Sequence, residues 1–224
     1  MIHQFSRDSL RKAISAFLVR NNHHKGERKM TEIMREHDRL NRAIKFAADC
    51  HAGQCRKGKT TPYILHPMEV ACLLNSMGGD IDLIIAGMLH DTLEDTDATR
   101  EDIRQEFGLK VEALVCAHTE DKTKSWQERK EQAIAELSNA DQRLKMLVLA
   151  DKLANLRSMA RDYKSQGESF WERFNAPKER QEWFYHQMVT ALSELKNIPQ
   201  TSAAYEEMQG IVEKIFDDEK PKIK

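Results

Sequence analysis

The chain has 224 residues, long enough for one large domain or two small ones with a sizeable core. Hydrophobic residues make up 40% and charged residues 32%, a globular balance, and the net charge of −1 excludes broad polyanion binding, so any phosphate site must be local. No apolar run reaches the roughly 18–20 residues of a membrane span, no signal-peptide core opens the chain, and Cys50, Cys55, Cys72 and Cys116 show no CxxC spacing for zinc; a reduced, cytoplasmic setting is the default expectation.

Residues 1–37 have helical character broken by "NNHHKG" and are expected to form an N-terminal arm or helix; translation starting at Met30 is an open alternative. From Asp38 the pattern becomes regular, with Leu40, Ile44, Ala47 and Ala48 on one helical face. "AGQCRKGKTTPYILHP" predicts a loop punctuated by two prolines, ending in an "LHP" turn. Glu69 to Met77 predicts a helix stopped by Gly78-Gly79. Asp80 caps a helix that is apolar almost all round through Leu89, the mark of a buried element. Thr99 and Asp102 suggest a capping box for a short helix stopping near Gly108. Further helices are expected over about 109–118 and 127–137, a long one from Asp141 to about Tyr163, and a last long one from Pro177 to about Lys196. Alternating strand patterns are scarce, so the expected fold is all-α, with a domain over 38–200 and a C-terminal helix and tail over 201–224.

Charge in apolar helices carries the chemistry. On the helix from Asp141, Leu144, Leu147, Val148, Asp151 and Asn155 share one face, and Leu149, Leu153 and Leu156 make the opposite face apolar too. Asp151 therefore occupies a core position, and a buried carboxylate needs a cation, a metal or a proton. "MLHDTLEDTD" ends an equally apolar helix with His90 and Asp91, and His66 stands beside Pro67 in the "LHP" turn. Two imidazoles and two carboxylates form a mixed N/O donor set suited to Mn, Fe, Co or Zn rather than calcium. Glu94 and Asp95, four residues beyond His90 and Asp91, are placed to move a proton beside such a metal. Arg56, Lys57 and Lys59 on one loop, and Lys122, Lys124, Arg129 and Lys130 on a second, are candidate phosphate contacts, and Trp126 is a candidate for base stacking or interhelical packing. No P-loop, GxGxxG or GxSxG occurs.

These residues resemble the HD superfamily of metal-dependent phosphohydrolases, with its H…HD…D ligand pattern. "FAADCHAGQCRKGKTTPYILHPMEVA", "AGMLHDTLEDTDAT", "FGLKVEALV" and "LVLADKLANLRSM" resemble, in order and spacing, the hydrolase domain of RelA/SpoT proteins, most closely the stand-alone small alarmone hydrolases. The resemblance is strong over about residues 40–160, weak through "RFNAPKERQEWFY", and absent from the first 37.

The resemblance implies an HD-domain helical bundle of roughly eight to ten helices around a single metal site. It implies one Mn²⁺ held by His66, His90, Asp91 and Asp151, with Glu94 and Asp95 as the catalytic acidic pair. Arg56, Lys57 and Asn155 would contact a small-molecule nucleotide, guanosine tetra- or pentaphosphate, cleaved to GDP or GTP plus pyrophosphate. The synthetase domain that follows the hydrolase domain in the bifunctional relatives is not expected within these residues. Ala154 replaces a larger residue, often Tyr, and bears on base preference. Another nucleotide, such as an adenine alarmone or the 2′-phosphate of NADPH, is the alternative substrate, and a non-catalytic alarmone-binding module the alternative class. Neither a nucleic-acid nor a membrane partner is expected; homo-oligomerisation is left open.

Overall fold

The computed structural model describes residues 30–217. Expectations placed on residues 1–29, including the "NNHHKG" break, lie outside the described residues. The chain divides between Asn41 and Arg42 into two units, and the second carries every feature described below. Helical backbone covers 30–50 (α1), of which 42–50 belong to that unit. Then follow α2 (Leu65–Ser76), α3 (Ile81–Leu89), α4 (Thr92–Asp95), α5 (Arg100–Phe107), α6 (Leu109–His118), α7 (Trp126–Leu137), α8 (Gln142–Gln166), α9 (Lys178–Ala191) and α10 (Ser202–Phe216). Two 3₁₀ segments, Gly167–Arg173 and Ser193–Asn197, flank α9. Among the described residues there is no strand, only an isolated antiparallel bridge between Cys55 and Pro62 in the loop before α2. The all-α expectation holds.

Short polar residues set the helix starts. Asp80 accepts from the Leu83 amide at 2.9 Å, and Asp141 from the Leu144 amide at 2.9 Å, each satisfying an N–H that the first turn leaves unpaired. Thr99 and Asp102 form a reciprocal capping box although the third residue is Asp, and Ser125 with Glu128 forms a second one. Between α5 and α6 the chain turns at Gly108, whose φ of 89° lies in the left-handed region open to glycine.

The Asp141 helix is central. Leu147, Leu149, Leu153 and Leu156 of α8 are fully buried, because α2, α3, α6 and α10 all pack on it. An apolar stripe on both sides of one helix is what such surrounded packing requires.

Four boundaries differ from expectation, each for a local reason. α2 begins at Leu65, so the "LHP" residues form its first turn; Pro67 is tolerated there because first-turn amides have no intrahelical partner. α8 runs on to Gln166, where Gly167 at φ 62° ends it. α9 stops at Ala191, short of the expected end near Lys196, and the chain goes on as a 3₁₀ segment whose Leu195 is still buried. Arg129 and Lys130 sit on α7 rather than in a basic loop. Trp126 packs between helices, with ring centroids 6.4 Å from Trp183 and 6.2 Å from Phe184.

The α2–α3 contact depends on Gly87. A Cβ there would lie 2.4 Å from Leu74 Cδ1 and 3.3 Å from Val70 Cγ1. Leu74 and Val70 are fully buried and have nowhere to swing. Gly87→Ala is therefore expected to lower unfolding stability by about 1–3 kcal/mol through overpacking, despite alanine's better helix propensity. Urea denaturation of the two proteins checks this.

Candidate metal centre

Three buried helical elements converge on one point. His66 is the second residue of α2, His90 and Asp91 follow the last turn of α3, and Asp151 lies midway along α8. His66 Nε2 is 3.5 Å from Asp91 Oδ2 and 3.1 Å from Asp151 Oδ1. His90 Nε2 is 2.9 Å from Asp91 Oδ2 and 3.7 Å from Asp151 Oδ1. These side chains are between 0% and 14% exposed, so the four predicted ligands, distant in sequence, form one enclosed N/O cluster.

The surroundings of His90 are compatible with a cation site. Its Nδ1 lies 2.7 Å from the Gly87 carbonyl oxygen, which can only accept. With Nδ1 as the donor, the neutral ring turns the lone pair of Nε2 toward a carboxylate oxygen 2.9 Å away. Two acceptors at that distance need a cation between them. His90 Nε2 is buried and has no hydrogen-bond donor of its own. Protonation answers the same demand: although burial disfavours the charged ring, Asp91 and Asp151 outweigh it and push His90 up to about 10. Burial would raise both carboxylates, but the facing imidazoles and, for Asp151, the Lys152 ammonium hold them well below the usual range. His66, by contrast, is lowered by burial and stays neutral, as a ligand must be. The donor spacing and chemistry fit one divalent ion with bonds of about 2 Å.

Around the cluster is a ring of hydrogen bonds. Tyr63 donates its hydroxyl to Asp91 Oδ2 at 2.6 Å. Asn155 donates to Asp151 Oδ1 at 2.7 Å and accepts from Arg56 at 2.8 Å. Arg56, Tyr63 and Asn155 also line a cleft of about 240 Å³ together with Lys57, Lys59, Arg173, Phe174 and Tyr185. Four cationic side chains and three rings beside a cation site suit a phosphorylated, ring-bearing ligand. Lys57 is the most peripheral of the predicted contacts, its ammonium exposed and 3.3 Å from Asn175 Oδ1. Lys59 and Arg173 both pair with Asp162, at 2.7 and 2.8 Å. Ala154 is 1% exposed and is not among the residues that line the cleft.

Glu94 and Asp95 lie on α4, the short turn after Asp91, and differ in environment. Asp95 is paired with Lys122 at 2.6 Å. Among the described residues no cation pairs with the Glu94 carboxylate, whose Oε2 accepts a long bond, 3.3 Å, from the Glu120 amide. Burial, with the Glu120 and Asp91 charges adding to it, raises the Glu94 pKa.

Residues absent from the sequence-based site complete it. Tyr63 and Lys152 reach the two carboxylates directly, and His118, the last residue of α6, faces Asp151 at 3.4 Å. Nothing in the local pattern singles His118 out, since a histidine in a helix's last turn ordinarily complements the helix dipole.

Comparison with known proteins agrees with this geometry. A family model described as "HD domain" matches residues 43–176. The guanosine-3′,5′-bis(diphosphate) 3′-pyrophosphohydrolase of Mus musculus is 43% identical over 122 residues, 53% of this chain and 68% of that protein. The protein of the same description from Aquifex aeolicus is 38% identical over 136 residues, 59% of this chain but 19% of that much longer one. Among solved structures, a metazoan ortholog of SpoT, described as hydrolysing ppGpp, superposes with a TM-score of 0.65 at 28% identity, covering 79% of this chain and 95% of that one. A Listeria monocytogenes protein superposes with a TM-score of 0.63 at 35% identity, covering 69% and 96%. No helix among the described residues is long and apolar enough to cross a membrane. Since the family match spans well over half the chain and includes every one of the converging histidines and aspartates, this protein belongs to the HD domain family.

Proposed function

We propose that the chain hydrolyses guanosine 3′,5′-bis(diphosphate), and the corresponding pentaphosphate, to GDP or GTP plus pyrophosphate, with Mn²⁺ as its metal. The observation that carries this is the buried cluster of His66, His90, Asp91 and Asp151, joined through Tyr63 and Asn155 to a cationic cleft that those two residues line. The names of the relatives support the substrate. His66, His90, Asp91 and Asp151 would hold the ion. When bound, it supplies Lewis acidity, lowering the pKa of a water and drawing charge from a phosphoryl oxygen.

The chain's own groups do the rest. Arg56, Lys57 and Asn155 position the nucleotide and its phosphates, with Lys59 and Arg173 offering further charge in the same cleft. Water oxygen bonds to the phosphorus attached at the 3′ position, and the P–O3′ bond breaks. Glu94 takes the proton lost by the water, which finally rests on the 3′ oxygen. Its unpaired, partly desolvated carboxylate suits that exchange better than Asp95, which is neutralised by Lys122. Tyr63 donates to Asp91 and keeps that carboxylate turned inward.

Release of pyrophosphate from guanosine 3′,5′-bis(diphosphate) by purified protein and Mn²⁺, set against a panel of other nucleotides, tests the proposal. Turnover of another nucleotide with none of this one would refute the substrate. Arg56→Ala is expected to raise KM about 10- to 100-fold, the loss of one or two charge-assisted hydrogen bonds, with a smaller change in kcat. Steady-state kinetics across Mn²⁺ concentrations checks it.

A further inference from the structure

Asp151 presents its two oxygens to different surroundings. Oδ1 faces His66 at 3.1 Å and accepts from Asn155 at 2.7 Å, on the side of the donor cluster. Oδ2 faces away, 2.7 Å from Lys152 Nζ and 3.4 Å from His118 Nε2. Both of these groups line a second, small cavity of about 50 Å³ between α6, α7, α8 and α9. His118 does more than approach the carboxylate. Its ring stands edge to face against His90, centroids 5.2 Å apart at 72°. One side chain, 8% exposed, thus contacts two of the four donors from outside the cluster.

We infer that His118 is a positioning residue for the metal centre, holding Asp151 so that only Oδ1 is offered to the ion. A carboxylate with a free second oxygen can rotate or bind through both atoms, and either change alters the number of open positions left for water and substrate. Lys152 alone would supply charge to Oδ2, but its flexible stem carries a point charge that follows the carboxylate as it turns. The imidazole N–H is directional and its ring is wedged against His90, so Oδ2 is restrained from a second side. Direct ligation is the competing arrangement, since His118, His90 and Asp151 offer ligand atoms within 4.8 Å of one another. The inference rests on the metal-binding role proposed for the four donors.

Two substitutions separate the donor from the ring. His118→Gln keeps an N–H donor and loses the wedge; His118→Phe keeps the ring against His90 and loses the donor. Mn²⁺ affinity, measured by electron paramagnetic resonance of the free ion, is expected to weaken about 10- to 100-fold in His118→Phe and to stay within about threefold of the parent in His118→Gln. The metal-free melting temperatures of the two variants should stay close to the parent's. In Co²⁺-substituted protein, the visible spectrum of His118→Phe should shift toward a higher coordination number, as Asp151 binds through both oxygens. Parent-like affinity in His118→Phe overturns the inference while leaving metal binding intact. Equal losses in both variants, tracking their melting temperatures, also overturn it by making His118 a packing residue. X-ray absorption showing three imidazoles on the ion overturns it in favour of direct ligation. Absence of Mn²⁺ binding by the parent protein overturns the metal role itself, and this inference with it.

Discussion

Asp151→Asn is expected to abolish metal binding and to cut pyrophosphate release by about 10³-fold or more, the equivalent of several kcal/mol of lost transition-state stabilisation. The substitution keeps the shape of the side chain and its place on α8 but removes the charge shared by His66, His90 and Lys152. Asparagine is the informative choice. Asp151→Ala takes both the countercharge and the hydrogen-bond acceptor from the Lys152 ammonium, 15% exposed, a loss of about 3–5 kcal/mol. Asparagine takes the charge but keeps a carbonyl that can accept from it, so its loss is smaller. Metal content after purification and the melting temperature of each variant separate the two effects. The asparagine variant should be metal-free but folded, and the alanine variant metal-free and markedly less stable. Stoichiometric metal with unchanged turnover in Asp151→Asn would remove Asp151 from the centre.

Glu94→Gln should act differently, lowering kcat by about 10²- to 10⁴-fold, the usual contribution of a positioned acid–base group, while Mn²⁺ affinity is preserved. The carboxylate must be ionised to accept a proton, so activity of the parent falls as the pH drops through the Glu94 pKa. Burial raises that pKa above the ordinary glutamate value, which moves the acidic limb of the profile upward in pH. Glutamine does not titrate, so the variant's residual rate should lose that limb. Asp95→Asn, which breaks the pair with Lys122, is expected to have the milder effect. The proton-transfer role fails if Glu94→Gln keeps the parent's pH profile.

The parts of the centre legible in the sequence are those where charge interrupts an apolar surface. His90 and Asp91 end a helix whose residues are almost all buried, and Asp151 sits among leucines on α8. Such placements are costly without a cation, and the cost makes them visible. His66 was legible only through its neighbours, because the proline that seemed to mark a turn opens α2 instead. Tyr63, Lys152 and His118 gave no such signal. A tyrosine in a loop, a lysine beside an aspartate and a histidine closing a helix are unremarkable locally, and their roles arise from contacts 28 to 33 positions away or from the burial of a charged side chain. The cleft wall was harder still. Arg173 and Tyr185 come from segments after α8, and only the packing of that region brings them opposite Arg56. Ala154 shows the reverse: it drew notice in the sequence, yet it is buried and is not among the residues that line the cleft.

One hydrogen-bonded chain has a thermodynamic meaning beyond its geometry. Arg56 donates to Asn155, and Asn155 donates to the Asp151 oxygen that faces the cation site. A phosphate that draws Arg56 away alters the hold of Asn155 on that oxygen, and an ion that engages the oxygen alters what Asn155 can offer Arg56. Under the proposed function, nucleotide and metal would be heterotropic ligands of one another, and the coupling would be reciprocal: whatever factor the ion imposed on nucleotide affinity, the nucleotide would impose on the ion's. The effective metal requirement of this protein would then depend on how much nucleotide is present, and not on the four donors alone.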